Sequence, residues 1–189
     1  MAKTADNPVR VFARQVRARS AEHAAALQVL GPARLHSVAS GILRQELDSM
    51  VRVMYLLAVR DRSVRVRLIK DSIGGRRWRG SNGKFITDRE MVKLADRLTG
   101  WAESVYRFGC AFIHLSNHHD HLARDPFKAL PPSDRRHIIS HLEHYHGSLR
   151  TQTPGIDDLL PLIPLVFTKI SENLRCYLES LERGKDLEV

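Results

Sequence analysis

The chain has 189 residues, 43% of them apolar, and its 30 lysine and arginine residues exceed its 21 aspartate and glutamate residues by nine. This composition excludes a wholly disordered chain, and the length suits one domain with extensions. The longest strongly apolar stretch, residues 159–167, contains two prolines and is far shorter than the roughly 20 residues of a membrane-spanning helix. Two cysteines are too few for a disulfide framework, and the first residues lack the apolar segment of a secretory signal. We therefore expect a soluble, cytoplasmic protein with no membrane partner.

The positive charge is concentrated in two blocks. Residues 60–84 contain nine basic and two acidic residues, and residues 1–20 contain five basic residues and one acidic residue. Such blocks favour an anionic partner, and nucleic acid is the commonest one. The alternative is a solvated basic loop that only keeps the protein soluble.

Helical periodicity dominates the first third of the chain. A first helix is predicted over residues 9–30, ending at Gly31-Pro32, and a second over residues 34–60. The segment of residues 71–86 contains four glycines and the turn dipeptide Asn82-Gly83. It permits a small hairpin, but a flexible loop is the favoured interpretation.

The third predicted helix has the clearest signal. Thr87 and Glu90 match a capping box, and apolar residues then recur every three or four positions to about residue 117. A fourth helix is predicted over residues 134–146 with Ser133 as its N-cap.

A last helix is predicted from near Pro161 or Pro164 to just before Gly184. The sequence therefore predicts an all-α bundle of about five helices, with a basic Gly-rich loop between the second and third. The expected divisions are a basic N-terminal helical extension over residues 1–33, the bundle over residues 34–184 and a C-terminal tail over residues 185–189.

The third helix carries polar residues beside its apolar stripe. Arg107 and His114 are seven positions apart, which is two helical turns, so they point in nearly the same direction from the helix axis. A guanidinium can hold a phosphate through two parallel hydrogen bonds, and an imidazole can transfer a proton near neutral pH. The pair is a candidate site for RNA cleavage without a metal. The alternative is an Arg and a His that only bond to neighbouring helices.

The segment from Arg107 to His114 resembles the motif of the HEPN superfamily, all-helical proteins in which four to six residues separate an Arg from a His. The resemblance implies a helical bundle over about residues 34–181 and an endoribonuclease that needs no cofactor. It implies that Arg107 binds the scissile phosphate and that His114 acts as acid or base when the 2′-hydroxyl of single-stranded RNA attacks. Asn117 and His118 are candidate supporting residues. HEPN nucleases are generally homodimers, and many are toxins paired with an antitoxin protein.

Two further interpretations stay open. Phe108 follows Arg107 where active HEPN proteins often have a polar residue, which favours a non-catalytic module that binds nucleic acid or a partner protein. Eight of the ten histidines lie within residues 114–146, and His137 and His141 have the i, i+4 spacing of metal ligands on one helix. This cluster would suit a metal-dependent hydrolase, but no cysteine and only one obvious carboxylate accompany it, so we predict no metal site.

The basic loop supplies the candidate nucleic-acid contacts, which are Arg76, Arg77, Trp78, Arg79 and Lys84. Such a loop can hold phosphates while an indole stacks on an unpaired base. The alternative for Trp78 is that it anchors the loop in the core. On the second helix, Asp48 has the spacing of a surface salt bridge with Arg52, and a carboxylate of this helix is also a candidate for orienting Arg107.

Overall fold

The computed structural model describes residues 7–114, 117–120, 123–147, 149, 151 and 153–187. Apart from one isolated β-bridge, all regular secondary structure in these residues is helical, so the predicted all-α fold is confirmed. Seven helices have 12 to 23 residues and one is a single turn. They are α1 Pro8–Leu30, α2 His36–Ala58, α3 Arg62–Ile73, α4 Asp88–Thr99, α5 Ala102–Ile113, α6 Pro132–His146, α7 Ile156–Leu159 and α8 Ile163–Glu182.

Helix α2 lies at the centre of the bundle, in contact with α1, α3, α4, α5 and α8. Its buried side chains cover more than one stripe, as expected for a helix that neighbours surround. Two charged residues, Arg44 and Glu46, are among them. A buried charge is costly unless it is paired, so these residues require partners on the surrounding helices. None of the described helices has the length and apolar character needed to cross a membrane.

Helix α1 packs on α2, α3 and α8 and contributes to their common core. Its apolar residues Phe12, Val16 and Leu27 are buried there, together with His23. The described part of residues 1–33 is mostly α1, which packs against the helices of the bundle. At the other end, the backbone N–H of Leu187 donates to the carbonyl of Leu57 at 2.9 Å. This bond ties the segment predicted as a tail to α2.

The third helix predicted from the sequence is two helices in the structure. Gly100 ends α4 in the left-handed conformation, with φ of 72°, which glycine adopts without the steric cost that a side chain would add. The Asp96 carboxylate then accepts a hydrogen bond from the Glu103 backbone N–H at 2.9 Å, near the start of α5. The predicted capping box of Thr87 and Glu90 is present at the beginning of α4. The prediction of one continuous helix was therefore wrong after Thr99.

The predicted Gly-rich loop is not confirmed. Asp61 caps α3 by accepting hydrogen bonds from the backbone N–H groups of Ser63 and Val64, and this helix was missed from the sequence. After it the chain forms a small hairpin, in which Arg79 and Phe85 make the β-bridge. The extra helix and the break at Gly100 together explain why the predicted count of five helices was too low.

Helix α6 is the long helix with the least buried surface. Its N-cap is Pro131, which has no side-chain cap, so the prediction of Ser133 as the cap was wrong. Ile138, Ile139 and Leu142 are only half-buried, and Tyr145 is exposed. No residue of α6 is fully buried. This helix is therefore held by a limited apolar contact.

Gly109 sets the distance between α5 and α2. A Cβ atom at position 109 would lie 2.5 Å from Cβ of Arg44 and 3.3 Å from its Cα, which is too close for real atoms. We expect Gly109→Ala to lower the free energy of unfolding by about 1–3 kcal/mol, because the two helices must move apart. Urea unfolding followed by circular dichroism measures the change.

Gly41, on α2, is the matched control. A Cβ atom there would meet no heavy atom within 4 Å. Gly41→Ala should raise the free energy of unfolding by about 0.5–1 kcal/mol, because alanine loses less backbone entropy in a helix. Equal effects of the two substitutions would mean that the contact between Gly109 and Arg44 does not limit the packing.

Candidate functional site

Arg107 lies at the surface of α5, held by two carboxylates. Its side chain is 56% exposed, with Nη2 at 2.8 Å from Oε1 of Glu103 and Nη1 at 3.4 Å from Oδ1 of Asp134. Glu103 lies one turn earlier on the same helix, whereas Asp134 belongs to α6. The hydrogen bond with Glu103 raises the pKa of Arg107, and the same bond lowers the pKa of the Glu103 carboxyl. Arg107 must exchange at least one of these partners before its guanidinium can hold a phosphate with both arms.

His114 is the residue that follows α5. It is exposed, and its backbone is extended, with φ of −92° and ψ of 140°. The helix therefore carries Arg107 and ends immediately before His114, so the two residues lie about 10 Å apart along the axis. Both are accessible to a substrate. Among the described residues, no hydrogen bond joins them.

The two supporting candidates lie beyond a gap in the described chain. The backbone of Asn117 and His118 forms the first half of a 3-10 turn, Asn117–Asp120. Their side chains lie outside the described residues.

The groove beside Arg107 has a mixed and mainly acidic lining. Asp96, Glu103 and Asp134 face it together with His137 and Arg107, and its volume is about 320 Å³. The carboxylates that pair with Arg107 belong to α5 and α6. A carboxylate of α2 had been predicted as a candidate for orienting Arg107, and the two that pair with it are not on that helix. The α2 carboxylate of Asp48 instead pairs with Arg52 at 3.0 Å. The immediate surroundings of Arg107 therefore compensate its charge.

The hairpin of residues 76–86, named here the basic hairpin, has one face in the core and one in solvent. Trp78 is 2% exposed, and its indole N–H donates to Oγ of Ser72 at 2.9 Å. Its neighbours Arg77 and Arg79 are exposed, so their side chains lie on the solvent side of the hairpin. Trp78 is thus placed as the core anchor that the sequence left open, and it offers no free ring face for a base.

A different aromatic residue lies on the outer face of the basic hairpin. Phe85 is 38% exposed, and the guanidinium carbons of Arg77 and Arg79 lie 4.0 and 3.9 Å from its ring centroid. Phe85 was not among the contact residues predicted from the sequence. A two-residue turn at Asn82-Gly83 would place residue 85 opposite residue 80, whereas the structure pairs it with residue 79, so the turn signal alone did not give this register.

The cations of residues 60–84 differ in their pairing. Arg76 pairs with Asp71 at 2.9 Å, and the buried Arg65 pairs with Asp186. In the part of the chain that the structure describes, no carboxylate pairs with Arg77, Arg79 or Lys84, and all three are exposed. The outer face of the basic hairpin therefore carries uncompensated positive charge.

The histidines of α6 lie close to one another. The rings of His137 and His141 are 4.4 Å apart, and burial lowers the pKa of His141. Within the described ranges, no group of three or more histidine, cysteine or carboxylate side chains is arranged to hold a metal ion. Comparisons of the chain with protein-family models, with curated proteins and with solved structures give no match.

Proposed function

We propose that the protein binds a single-stranded nucleic acid through the basic hairpin, and that RNA is its natural partner if the HEPN resemblance holds. The observation that carries this proposal is the pair of guanidinium groups over the exposed ring of Phe85. Arg77 and Arg79 lie within about 4 Å of that ring and have no carboxylate partner in the described residues. Flat cationic surfaces of this kind accept both phosphates and unpaired bases.

The contacts divide between charge and stacking. Arg77, Arg79 and Lys84 would donate hydrogen bonds to phosphate oxygens, which are strong because both groups are charged. Phe85 would support a base or a guanidinium plane that stacks on a base. Trp78 has a different role, which is to hold the hairpin against α2 so that these side chains stay together. Arg76 is a weaker candidate, because Asp71 already neutralises it.

The test is a variant with Arg77, Arg79 and Lys84 all changed to glutamine. We expect it to bind a single-stranded RNA oligonucleotide about 10- to 100-fold more weakly, since three charge-assisted contacts are lost. The dependence of the affinity on salt should also become shallower by about two units of slope, at roughly 0.7 for each phosphate contact. Fluorescence anisotropy over a series of salt concentrations measures both quantities.

The matched control removes the same charge elsewhere. Lys93, Lys128 and Arg136 are exposed cations outside the basic hairpin, and their replacement by glutamine lowers the net charge by the same three units. This variant should keep most of the affinity. If both triple variants lose affinity equally, binding follows the net charge, and the basic hairpin is not the contact surface.

RNA cleavage of the HEPN type is the second candidate function. The specific observation in its favour is that Arg107, on α5, and His114, directly after this helix, are both exposed instead of being buried between helices. In this reaction Arg107 leaves Asp134 to hold the scissile phosphate, and His114 transfers the proton as the 2′-hydroxyl attacks. The resemblance adds a homodimer and an antitoxin protein as proposed partners. Cleavage of RNA by purified protein in EDTA, with sedimentation to detect the dimer, tests this candidate.

A further inference from the structure

A small, mainly apolar cavity lies between α5, α6 and α8. Its volume is about 70 Å³. Aromatic and aliphatic side chains form most of its wall, among them Leu43, Trp101, Val105, Phe108, Leu142 and Val166. A wall of this composition accepts apolar groups.

One cation faces this apolar space. Lys169, on α8, lines the cavity, and its Nζ lies 3.0 Å from the ring centroid of Tyr145 and 5.8 Å from that of Trp101. No carboxylate lines the cavity, and in the described part of the chain Lys169 has no ion pair. Burial lowers the pKa of Lys169, which reflects the poor solvation of its ammonium group. The aromatic rings compensate the charge only in part.

A hydroxyl group adds a second polar element. Ser104, on α5, lines the same cavity and is 7% exposed. Its Oγ has no hydrogen-bond partner among the described residues. An unsatisfied buried hydroxyl costs free energy, and an oxygen atom placed in the cavity would accept its hydrogen bond. The cavity therefore offers a mainly apolar wall, one ammonium group, one free hydroxyl donor and the imidazoles of His141 and His146.

We propose that this cavity binds a small apolar monocarboxylate, of about the size of benzoate, with its carboxylate at Lys169 and its apolar part against Trp101 and Phe108. The negative charge supplies the counter-ion that Lys169 lacks. A neutral apolar molecule would fill the space but would leave the ammonium uncompensated, and a dicarboxylate would place a second charge among apolar side chains.

The packing of α6 explains how such a ligand enters. This helix forms one wall through Ile138, His141, Leu142 and Tyr145, yet none of its residues is fully buried. A small outward movement of α6 costs little buried surface, so the cavity can widen from its present volume to admit a ring. The closed helix then covers the bound ligand.

The experiment is a titration of the full chain with sodium benzoate, with benzamide as the neutral analogue of equal shape and sodium chloride at equal ionic strength. For a ligand of nine heavy atoms we expect a Kd of about 1 mM. Protein NMR follows the two indole N–H signals. The Trp101 signal should shift, because Trp101 lines the cavity, whereas the Trp78 signal should not.

The variant Lys169→Met removes the charge and keeps an unbranched apolar side chain. It should weaken benzoate binding by at least about ten-fold and leave benzamide binding unchanged. Lys128→Met, at an exposed lysine of the loop before α6, should bind both as the wild type does. No benzoate binding by the wild type, or equal affinity for benzoate and benzamide, would overturn the proposal. Neither outcome affects the nucleic-acid proposal, since the basic hairpin does not line this cavity.

Discussion

For the cleavage reaction proposed at α5, we expect His114→Ala to lower the rate of RNA cleavage by about 10²- to 10⁴-fold. The reason is that a positioned imidazole contributes about this much when it transfers the proton of the attacking or leaving oxygen. His114 is exposed and follows the last helical residue, so its removal leaves no cavity in the core. The loss should therefore be one of rate and not of folding. Gel analysis of a labelled single-stranded RNA in EDTA, under single-turnover conditions, measures it.

His144→Ala is the control for this substitution. His144 is an exposed histidine on α6 whose ring packs edge-on against Tyr145. The His144→Ala variant should cleave RNA at the wild-type rate. If His114→Ala also cleaves at that rate, the activity belongs to another site or to a contaminating nuclease, and the HEPN assignment of Arg107 and His114 fails.

The carboxylates that pair with Arg107 allow a second test of its role in the cleavage reaction. Asp134→Asn removes the charge that holds Nη1 of Arg107 at 3.4 Å but keeps the shape of the side chain. The guanidinium is then easier to transfer to a phosphate, so RNA affinity at this site should rise. A structural role for Arg107 predicts the reverse, namely a loss of stability with no gain in affinity. The two explanations are thus separated by one variant.

The parts of the fold that were predicted correctly have local causes. The capping box of Thr87 and Glu90 depends on residues three apart, and the first helix ends at the Gly31-Pro32 break. Gly100 was missed because the apolar stripe keeps its spacing across it. Trp101 and Met91 are buried in the same core, so the apolar spacing does not indicate that the backbone changes direction between them.

Helix α3 and the surroundings of Arg107 were harder to predict because both depend on contacts with residues far away in the sequence. Only Arg65, Leu68 and Ile69 of α3 are buried, and its high charge hid the helical stripe. Likewise, Glu103 was within reach of a local argument, being four positions before Arg107. Asp134 was not, since it lies 27 residues later on a helix whose packing the sequence does not specify.

The buried pair of His23 and Glu46 carries the largest stability effect that we expect. Glu46, on α2, is fully buried, and its carboxylate lies 2.7 Å from Nδ1 of His23 on α1. The Ser20 hydroxyl donates to the other carboxylate oxygen. His23→Leu should lower the free energy of unfolding by about 3–5 kcal/mol, because it leaves a buried carboxylate without its main partner. Urea unfolding measures this cost.

The double variant His23→Leu with Glu46→Leu shows whether the cost comes from leaving the Glu46 carboxylate unpaired or from losing the shape of the imidazole. Removing both polar groups leaves no unpaired charge between α1 and α2, so most of the stability should return. The exposed pair of Arg175 and Glu179, 3.0 Å apart on α8, is the control, and Arg175→Ala should cost less than about 1 kcal/mol because solvent screens that pair. A double variant as unstable as His23→Leu alone would instead mean that the shape of the imidazole, and not its hydrogen bond to Glu46, holds α1 in the bundle. In either case α1 is a structural part of the molecule, since it packs on α2, α3 and α8.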